Sequence, residues 1–117
     1  MPSTKAAKAS KTAKKSEILE PSVVSLRALI QRHLISTLAR HEGSATPNDW
    51  WVATALAVRD TIHERMIATQ AVHNAENVRR VYYFSLEYLM GRLFGNNLLA
   101  TGLLDTAREA LGSLGQD

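Results

Sequence analysis

A single short run of β-branched and aromatic residues limits the fold of this chain more than any other feature of its sequence. Residues 81–86 read VYYFSL, which is typical in composition and length of a buried β-strand. The 117 residues contain no visible partner strand, and each buried N–H or C=O group left unpaired costs about 1–3 kcal/mol. Either the strand pairs with another chain, or the sequence is the front piece of a larger α/β protein, which is the simpler interpretation.

The first periodic segment predicts an amphipathic helix. It opens at Pro21 and Ser22, and it should end near Arg40 because Gly43 and Ser44 follow as breakers. Apolar residues recur in it at spacings of three and four, at Val23, Leu26, Ile30, Leu34 and Leu38.

A second, longer helix is predicted over residues 47–73. Thr46 can accept a hydrogen bond as N-cap, Pro47 suits the first turn, and Asp49 favours the positive end of the helix. Nothing breaks the helix from there to residue 73. The apolar face that we expect to meet the core consists of Trp51, Val58, Ile62 and Met66.

The remainder of the chain alternates breaks with short elements. Residues 74–77 read as a turn before the strand, and Gly91 separates the strand from a helix that starts around Leu93. Thr101 and Gly102 mark a further break. A last helical stripe follows at Leu104, Ala107, Leu111 and Leu114. Residues 21–117 are therefore predicted to be mainly α with one buried strand.

The basic character of the chain belongs to its first residues. The formal net charge is +3, but five of the 14 basic residues are lysines within the first sixteen positions, where no acid occurs. The other nine basic residues, all arginines, stand against 11 acids. We expect residues 1–20 to be a disordered tail, since they offer too few bulky apolar groups to form a core. An arm contacting nucleic acid and an organellar transit peptide remain alternatives for this tail.

Several classes of site are excluded by composition and spacing. Cysteine is absent, which removes disulfides, thiolate metal sites and cysteine nucleophiles. His41-Glu42 and His63-Glu64 lack the second histidine of a zinc-protease motif, so no metal site is predicted. Arginines interrupt every apolar run before it reaches the length of a membrane span. The four histidines are expected on the surface or in helix packing.

Two features keep a functional interpretation beside a structural one. Glu87 directly follows the predicted strand, where open α/β sheets place their ligand crevices, but it could equally be a rim carboxylate paired with an arginine. Trp50 and Trp51 are expected to anchor a core or an interface, with stacking on a sugar or a base as the alternative.

Residues 79–92 read RRVYYFSLEYLMGR and are followed by Asn96. This run resembles the pattern R-x-Y-Y-x-S-L-E-[FY]-x-M-G-R-x-L-x-N, found near the start of the glycogen and starch phosphorylases. Residues 45–51, ATPNDWW, resemble the family's A-T-P-x-D-[YW]-[YW] helix start. Residues 58–60 and 65–70 continue the likeness in register, which extends over about residues 26–117.

This resemblance implies an α-1,4-glucan phosphorylase, a glycosyltransferase that moves glucose reversibly between glucan ends and phosphate. Such enzymes have two Rossmann-like lobes of the GT-B type, carry pyridoxal 5′-phosphate on a lysine of the second lobe, and are cytoplasmic homodimers. The chain would be an N-terminal piece of the first lobe. It has no lysine after Lys15, so we expect it to be inactive alone and to bind no cofactor.

Residue by residue, the resemblance carries little catalytic machinery. Glu87 matches the acid of the family pattern that faces the catalytic cleft, and Gln70 matches a glutamine of the nucleotide-effector site in regulated animal members. Ala71 and Asn74 replace a second glutamine and the tyrosine that stacks on the effector base, while Ala68 replaces an arginine that receives a phosphoserine. Control by AMP and by phosphorylation is therefore in doubt, as in the less regulated bacterial members.

Two alternatives come from other functional classes. One is a small helical protein whose basic arm contacts nucleic acid, although the acidic balance after the tail argues against a nucleic-acid-binding domain. The other is a helical interaction module that uses an exposed strand and apolar helix faces to bind a partner chain.

Overall fold

The computed structural model describes residues 21–86 and 91–116. These residues form four α-helices: α1 (Val23–Arg32), α2 (Pro47–Ala75), α3 (Phe94–Thr101) and α4 (Leu104–Ser113). A π-helical turn, His33–Thr37, extends α1, and a 3₁₀ turn, Glu42–Ser44, precedes α2. The predicted tail, residues 1–20, lies outside the described residues.

Helix α1 begins and ends close to the predicted positions. The Ser22 hydroxyl caps it by accepting a hydrogen bond from the Ser25 amide at 3.2 Å. The π-helical turn continues it to Thr37, and Ala39 then adopts a left-handed conformation with φ of 52°. The chain therefore leaves the helix at Ala39, before Gly43 is reached.

The predicted start of α2 is confirmed in its details. The Thr46 hydroxyl accepts from the Asp49 amide at 3.3 Å, and Asp49 Oδ2 accepts from the Thr46 amide at 2.8 Å, which completes a capping box with Pro47 in the first turn. The Thr46 backbone and side-chain hydrogen bonds, with the charge of Arg40, hold the pKa of Asp49 below its ordinary value.

The core lies where α1 and the first half of α2 pack together and where α1 packs on α4, with α3 contacting α2 and α4. Partly buried apolar residues, among them Val23, Ile62 and Phe94, surround it. The buried apolar residues are Leu26, Ile30, Leu34, Trp50, Ala53, Ala57, Val58, Leu98, Leu103, Ala107 and Ala110.

The buried face of α2 differs from the predicted one. Val58 is buried and Ile62 packs against the core, but Trp51 is 56% exposed and Met66 is 48% exposed. The residues that are buried recur at spacings of three and four: Trp50, Ala53, Thr54, Ala57, Val58 and Thr61. Most of these residues are small, and small side chains allow neighbouring helices to approach closely. The predicted face was wrong in part because it was selected from the largest apolar residues.

The second half of α2 contributes to the core only through Ile62 at its start, which is partly buried. After Thr61 this helix, which is described throughout, contains no buried residue. Ile67 and Val72 are 62% and 60% exposed. The helix therefore has a packed half and an exposed half.

The prediction of a buried strand at residues 81–86 is wrong. The described residues contain no β-strand, and this run has no regular structure. Its side chains are exposed, from 71% at Tyr82 to 96% at Leu86. The local preference for extended backbone is insufficient here, because a strand forms only when a neighbour completes its hydrogen-bonded ladder.

The last two helices follow the predicted breaks. Helix α3 begins at Phe94, one residue after Leu93, and ends at Gly102, whose φ of 72° suits glycine. Helix α4 buries Ala107 and Ala110. The other members of the predicted stripe, Leu104, Leu111 and Leu114, pack around the core. Among the described residues, no helix combines the length and apolar character needed to cross a membrane.

Candidate functional site

The stretch that we call the signature segment, residues 79–92, links α2 to α3. Asn77, with φ of 46°, turns the chain out of α2, and the Val78 amide donates to the His73 carbonyl at 3.2 Å. Beyond this turn the apolar side chains of residues 81–84 and of Leu86 are exposed. The segment thus offers apolar and aromatic surface that the described residues do not cover.

The predicted catalytic acid, Glu87, lies outside the described residues, as do residues 88–90. Its described neighbours are Leu86, which is 96% exposed, and Gly91, which is also exposed. The role of Glu87 therefore stays a prediction.

Gln70 lies on the exposed half of α2 and faces the start of the signature segment. A concave surface of about 410 Å³ brings it together with Arg79 and Arg80. The other lining residues are His73, Val78, Val81 and Tyr82. The residue that resembles an effector-site glutamine therefore borders two arginines, which sequence reasoning did not place beside it.

Arg80 is already engaged within the chain. Its Nη2 donates a hydrogen bond to Oδ1 of Asn74, one turn beyond Gln70 on α2. Asn74 is the residue that stands where the resemblance expects a stacking tyrosine. The amide therefore ties the arginine to α2 and provides no aromatic face on this surface.

A charged cluster that the sequence did not reveal joins α1 to α2. Nε2 of His33, in the π-helical turn, lies 2.8 Å from Oδ2 of Asp60, and Arg59 Nη2 lies 3.2 Å from the other carboxyl oxygen. The His33 side chain is only 11% exposed, and its Nδ1 lies 3.0 Å from the Thr37 hydroxyl. His33 thus serves in helix packing, as expected for a histidine of this chain.

The electrostatics of this cluster favour the ionised carboxylate. Partial burial pushes the pKa of Asp60 upward, but the hydrogen bonds and charges of His33 and Arg59 outweigh it, so that the pKa lies below its ordinary value. The pair is separated by 27 positions in the sequence. Only the packing of the two helices brings it together.

A third feature, which we call the aromatic groove, lies between α2 and the start of α3. The rings of Trp51 and Phe94 meet edge to face with centroids 5.7 Å apart. They line a groove of about 670 Å³ together with Arg92, Asn97 and the residues Gly91, Leu93 and Gly95. The sequence singled out the two adjacent tryptophans, and the structure separates them: Trp50 is buried and Trp51 lies in this groove.

The described residues offer few side chains that could bind a metal ion or a cofactor. Within residues 21–86 and 91–116, no group of three or more histidine, aspartate or glutamate side chains is close enough to hold a metal ion. The sequence contains no lysine after Lys15.

Comparison with known proteins gives the family. No family model matches the chain. Three curated relatives are each named glycogen phosphorylase. That of Pasteurella multocida is 42% identical over 95 residues, which are 81% of this chain and 12% of the relative. That of Haemophilus influenzae is 40% identical over 98 residues, 84% of this chain and 12% of the relative. The human brain form is 39% identical over 95 residues, 81% of this chain and 11% of the relative.

These matches include the residues that carried the resemblance. A match over 95 of 117 residues contains residues 23–95 wherever it begins, and therefore both the helix start at residues 45–51 and the signature segment. The identity to the Pasteurella multocida relative and to the human brain form is nearly the same, 42% and 39%. The chain spans about 12% of the length of the relatives it matches. It belongs to the glycogen phosphorylase family.

Proposed function

We propose that this chain is a segment of an α-1,4-glucan phosphorylase, a glycosyltransferase that moves glucose between glucan ends and inorganic phosphate and forms glucose 1-phosphate. The observation that carries the proposal is the identity of about 40% to glycogen phosphorylases across the signature segment and the capped start of α2. No observation favours the alternatives of a nucleic-acid-binding arm or an independent interaction module.

In the proposed enzyme, the helices of this chain support an acid at the catalytic cleft. Packing of α1, α3 and α4 with the first half of α2 forms the core-containing base, from which the signature segment departs. In the proposal this segment joins the sheet of a two-lobed GT-B fold and presents the Glu87 carboxylate to the cleft. Support comes from the exposure of its apolar side chains, which are free to pack against a further part of the protein.

The cofactor of the proposed enzyme, pyridoxal 5′-phosphate, does not fit the residues described here. Its aldehyde requires a lysine amine, and none follows Lys15. When bound, the cofactor supplies a phosphate group that donates and accepts the proton. We assign the attachment of the cofactor to a part of the enzyme other than residues 21–117. We assign no cofactor-dependent chemical step to these residues.

The proposed partners are an α-1,4-glucan, phosphate and a second copy of the enzyme, in the cytoplasm. The exposed apolar residues on the second half of α2, Met66, Ile67 and Val72, support packing against further protein. Control by AMP is not part of the proposal. Ala71 and Asn74 stand in place of two effector-site residues of the family, so that only Gln70 matches. The Asn74 side chain also accepts a hydrogen bond from Arg80.

A chimeric enzyme tests the proposal. Residues 26–116 would replace the matching segment of the glycogen phosphorylase of Pasteurella multocida, and release of glucose 1-phosphate from glycogen would be measured. We expect activity within about tenfold of the parent, and a further loss of at least about tenfold on Glu87→Gln, since charged groups at reacting centres contribute on this scale or above it. Asp105→Asn, at an exposed position of α4, is the matched control. A soluble, folded chimera without activity would contradict the proposal.

A further inference from the structure

Arg65 differs from its neighbours on the second half of α2. From residue 63 to residue 75 every residue of this helix is exposed except Arg65 and Ala68, which are half-buried. Both continue the buried face of the first half, since they follow the buried Thr61 at spacings of four and three residues. Arg65 is therefore a charged residue on the packed face of the helix, one turn beyond the core.

The Arg65 guanidinium binds the end of another helix. Its Nη1 donates a hydrogen bond of 3.0 Å to the backbone carbonyl of Thr101, the last residue of α3, in a partly buried position. The last four carbonyls of a helix lack a partner within that helix, and the helix dipole places partial negative charge there. A guanidinium is therefore a suitable cap for this end. The two residues are 36 positions apart in the sequence.

The other carbonyls at the end of α3 are bonded locally. The Gly102 amide donates to the Leu99 carbonyl at 3.1 Å, and the Leu103 amide donates to the Leu98 carbonyl at 2.9 Å. Gly102 has the left-handed conformation that ends the helix. These bonds hold the last turn of α3 together, whereas the bond from Arg65 to Thr101 attaches that turn to α2.

The Arg65 contact closes a loop of chain that contains the signature segment. This segment leaves the end of α2 and returns at the start of α3. Its start is held on α2 by the hydrogen bond from Arg80 to Asn74. Its end is held through α3, whose last residue is bonded to Arg65. Both ends are therefore attached to the second half of α2, and Glu87 lies between them in the sequence.

We propose that Arg65 is a positioning residue for the predicted catalytic acid, Glu87. By fixing the end of α3 on α2, it fixes the point to which the signature segment returns, and with it the path of the chain that carries Glu87. This role rests on the proposed function, since it requires Glu87 to act at the cleft of a phosphorylase. A displacement of about 1 Å at a reacting centre can lower a rate about 100-fold, so a residue that touches no substrate can control kcat.

Steady-state kinetics of the chimeric enzyme test this role. Arg65→Met keeps an unbranched side chain and removes every hydrogen-bond donor. We expect it to lower kcat for release of glucose 1-phosphate about tenfold or more. The KM for glycogen and for phosphate should change by less than about twofold, since Arg65 is not proposed to touch either substrate.

Two further variants frame this result. Arg65→Lys keeps a positive charge and a donor for the single Thr101 carbonyl, and should retain kcat within about threefold of the chimera. Arg108→Met, at an exposed position of α4, is the matched control and should leave kcat unchanged. Failure of Arg65→Lys to recover more activity than Arg65→Met would count against the hydrogen bond to Thr101 as the cause.

A double-mutant cycle separates positioning from a general loss of folding. In a chimera that already carries Glu87→Gln, Arg65→Met should lower kcat by less than about twofold further, because the group that it positions no longer acts. A folding defect would instead lower kcat by the same factor in both backgrounds. Equal losses in the two backgrounds would overturn the inference, as would an unchanged kcat or a change confined to KM.

Amide exchange of the full 117-residue chain measures the contact itself, without activity. Arg65→Met should speed exchange of the amides of Gly102 and Leu103 about threefold or more, and leave the amides of α1 unchanged. Unchanged exchange at the end of α3 would show that Arg65 does not hold this helix, and would overturn the inference as well.

The proposed function and this role fail in different ways. An inactive, folded chimera would contradict the proposed function and remove the role of Arg65 with it. An active chimera that loses activity on Glu87→Gln but not on Arg65→Met would leave the proposed function intact and overturn the positioning role alone.

Discussion

The two halves of α2 are both α-helical, but the first is packed against other helices and the second is mostly exposed. From Trp50 to Thr61 the helix buries six residues against α1 and its neighbours, and most of them are small. From residue 62 to its end it buries none, although Met66, Ile67 and Val72 are apolar. The described residues of the signature segment, 79–86 and 91–92, are exposed as well.

The residues that stabilise the chain are therefore different from those that show its family most clearly. The helical base, defined as α1, residues 47–61 of α2, α3 and α4, contains the core, whereas the resemblance to phosphorylases is strongest in a segment that buries nothing among the described residues. Apolar side chains without a core contribute stability only when another surface covers them. The signature segment is therefore a surface for further contacts.

The largest contrast should appear when a leucine is shortened in each region. Leu26 is fully buried and Leu86 is 96% exposed. Leu26→Ala should lower the free energy of unfolding by about 2–5 kcal/mol, because it removes buried methyl groups and leaves a cavity. Leu86→Ala should change it by less than about 0.5 kcal/mol. Urea unfolding followed by helical dichroism measures both; equal losses would contradict the division.

An enlarged side chain at matched positions on α2 should give a smaller contrast. Ala57 is fully buried in the core, on the packed part of α2, and Ala71 is exposed. Ala57→Leu should cost about 1–3 kcal/mol through overpacking, while Ala71→Leu should be nearly neutral, since leucine is also a good helix former. The same urea titration compares them. A neutral Ala57→Leu would show that the core around this helix is not closely packed.

The cap of α2 should contribute less than the core. Thr46→Ala removes the hydroxyl that accepts from the Asp49 amide and should cost about 1 kcal/mol. Asn48→Ala, at an exposed neighbour whose side chain makes no hydrogen bond with a described residue, is the control and should have little effect. Thermal unfolding of the two variants side by side measures the difference. A loss confined to Asn48→Ala would contradict the capping assignment.

The smallest expected effect concerns acid stability and the contact between His33 and Asp60. A carboxyl whose pKa is lower in the folded state stabilises the protein above its unfolded pKa of about 3.9, and that stabilisation is lost as the pH falls through the folded pKa. Asp60→Asn should therefore be less stable than wild type at neutral pH, with a gap that closes below about pH 4. Urea titrations over this range measure it.

A matched carboxyl controls for general acid effects. Glu109 is exposed on α4 and makes no ion pair with a described residue, so Glu109→Gln should follow the wild-type curve. A gap between Asp60→Asn and wild type that does not depend on pH would mean that the His33 contact contributes through packing alone.

Local chemistry predicted the helices well and the long-range contacts poorly. The Thr46 cap and the Gly102 stop are confirmed because side-chain capping and a left-handed glycine act within one turn. Trp50 and Trp51 are adjacent and chemically identical, so only the packing of the other helices against α2 decides which is buried.

The site was predictable to a lesser extent. The run at residues 81–86 has strand-forming residues, but pairing needs a partner that local preference does not supply, and it is exposed instead. His33 and Asp60 meet only after the helices pack. The family motif, by contrast, could be recognised from adjacent residues, and the comparisons confirmed it.

Amide hydrogen exchange of the full chain tests the central division most directly. We expect strong protection for the amides of α1 and of residues 53–61 in α2, and exchange near the rate of an unstructured peptide for residues 81–84, which have no regular structure and are exposed. Protection of residues 81–84 comparable to that of α1 would contradict this division, because it would show that the signature segment pairs and is buried as firmly as the helical base.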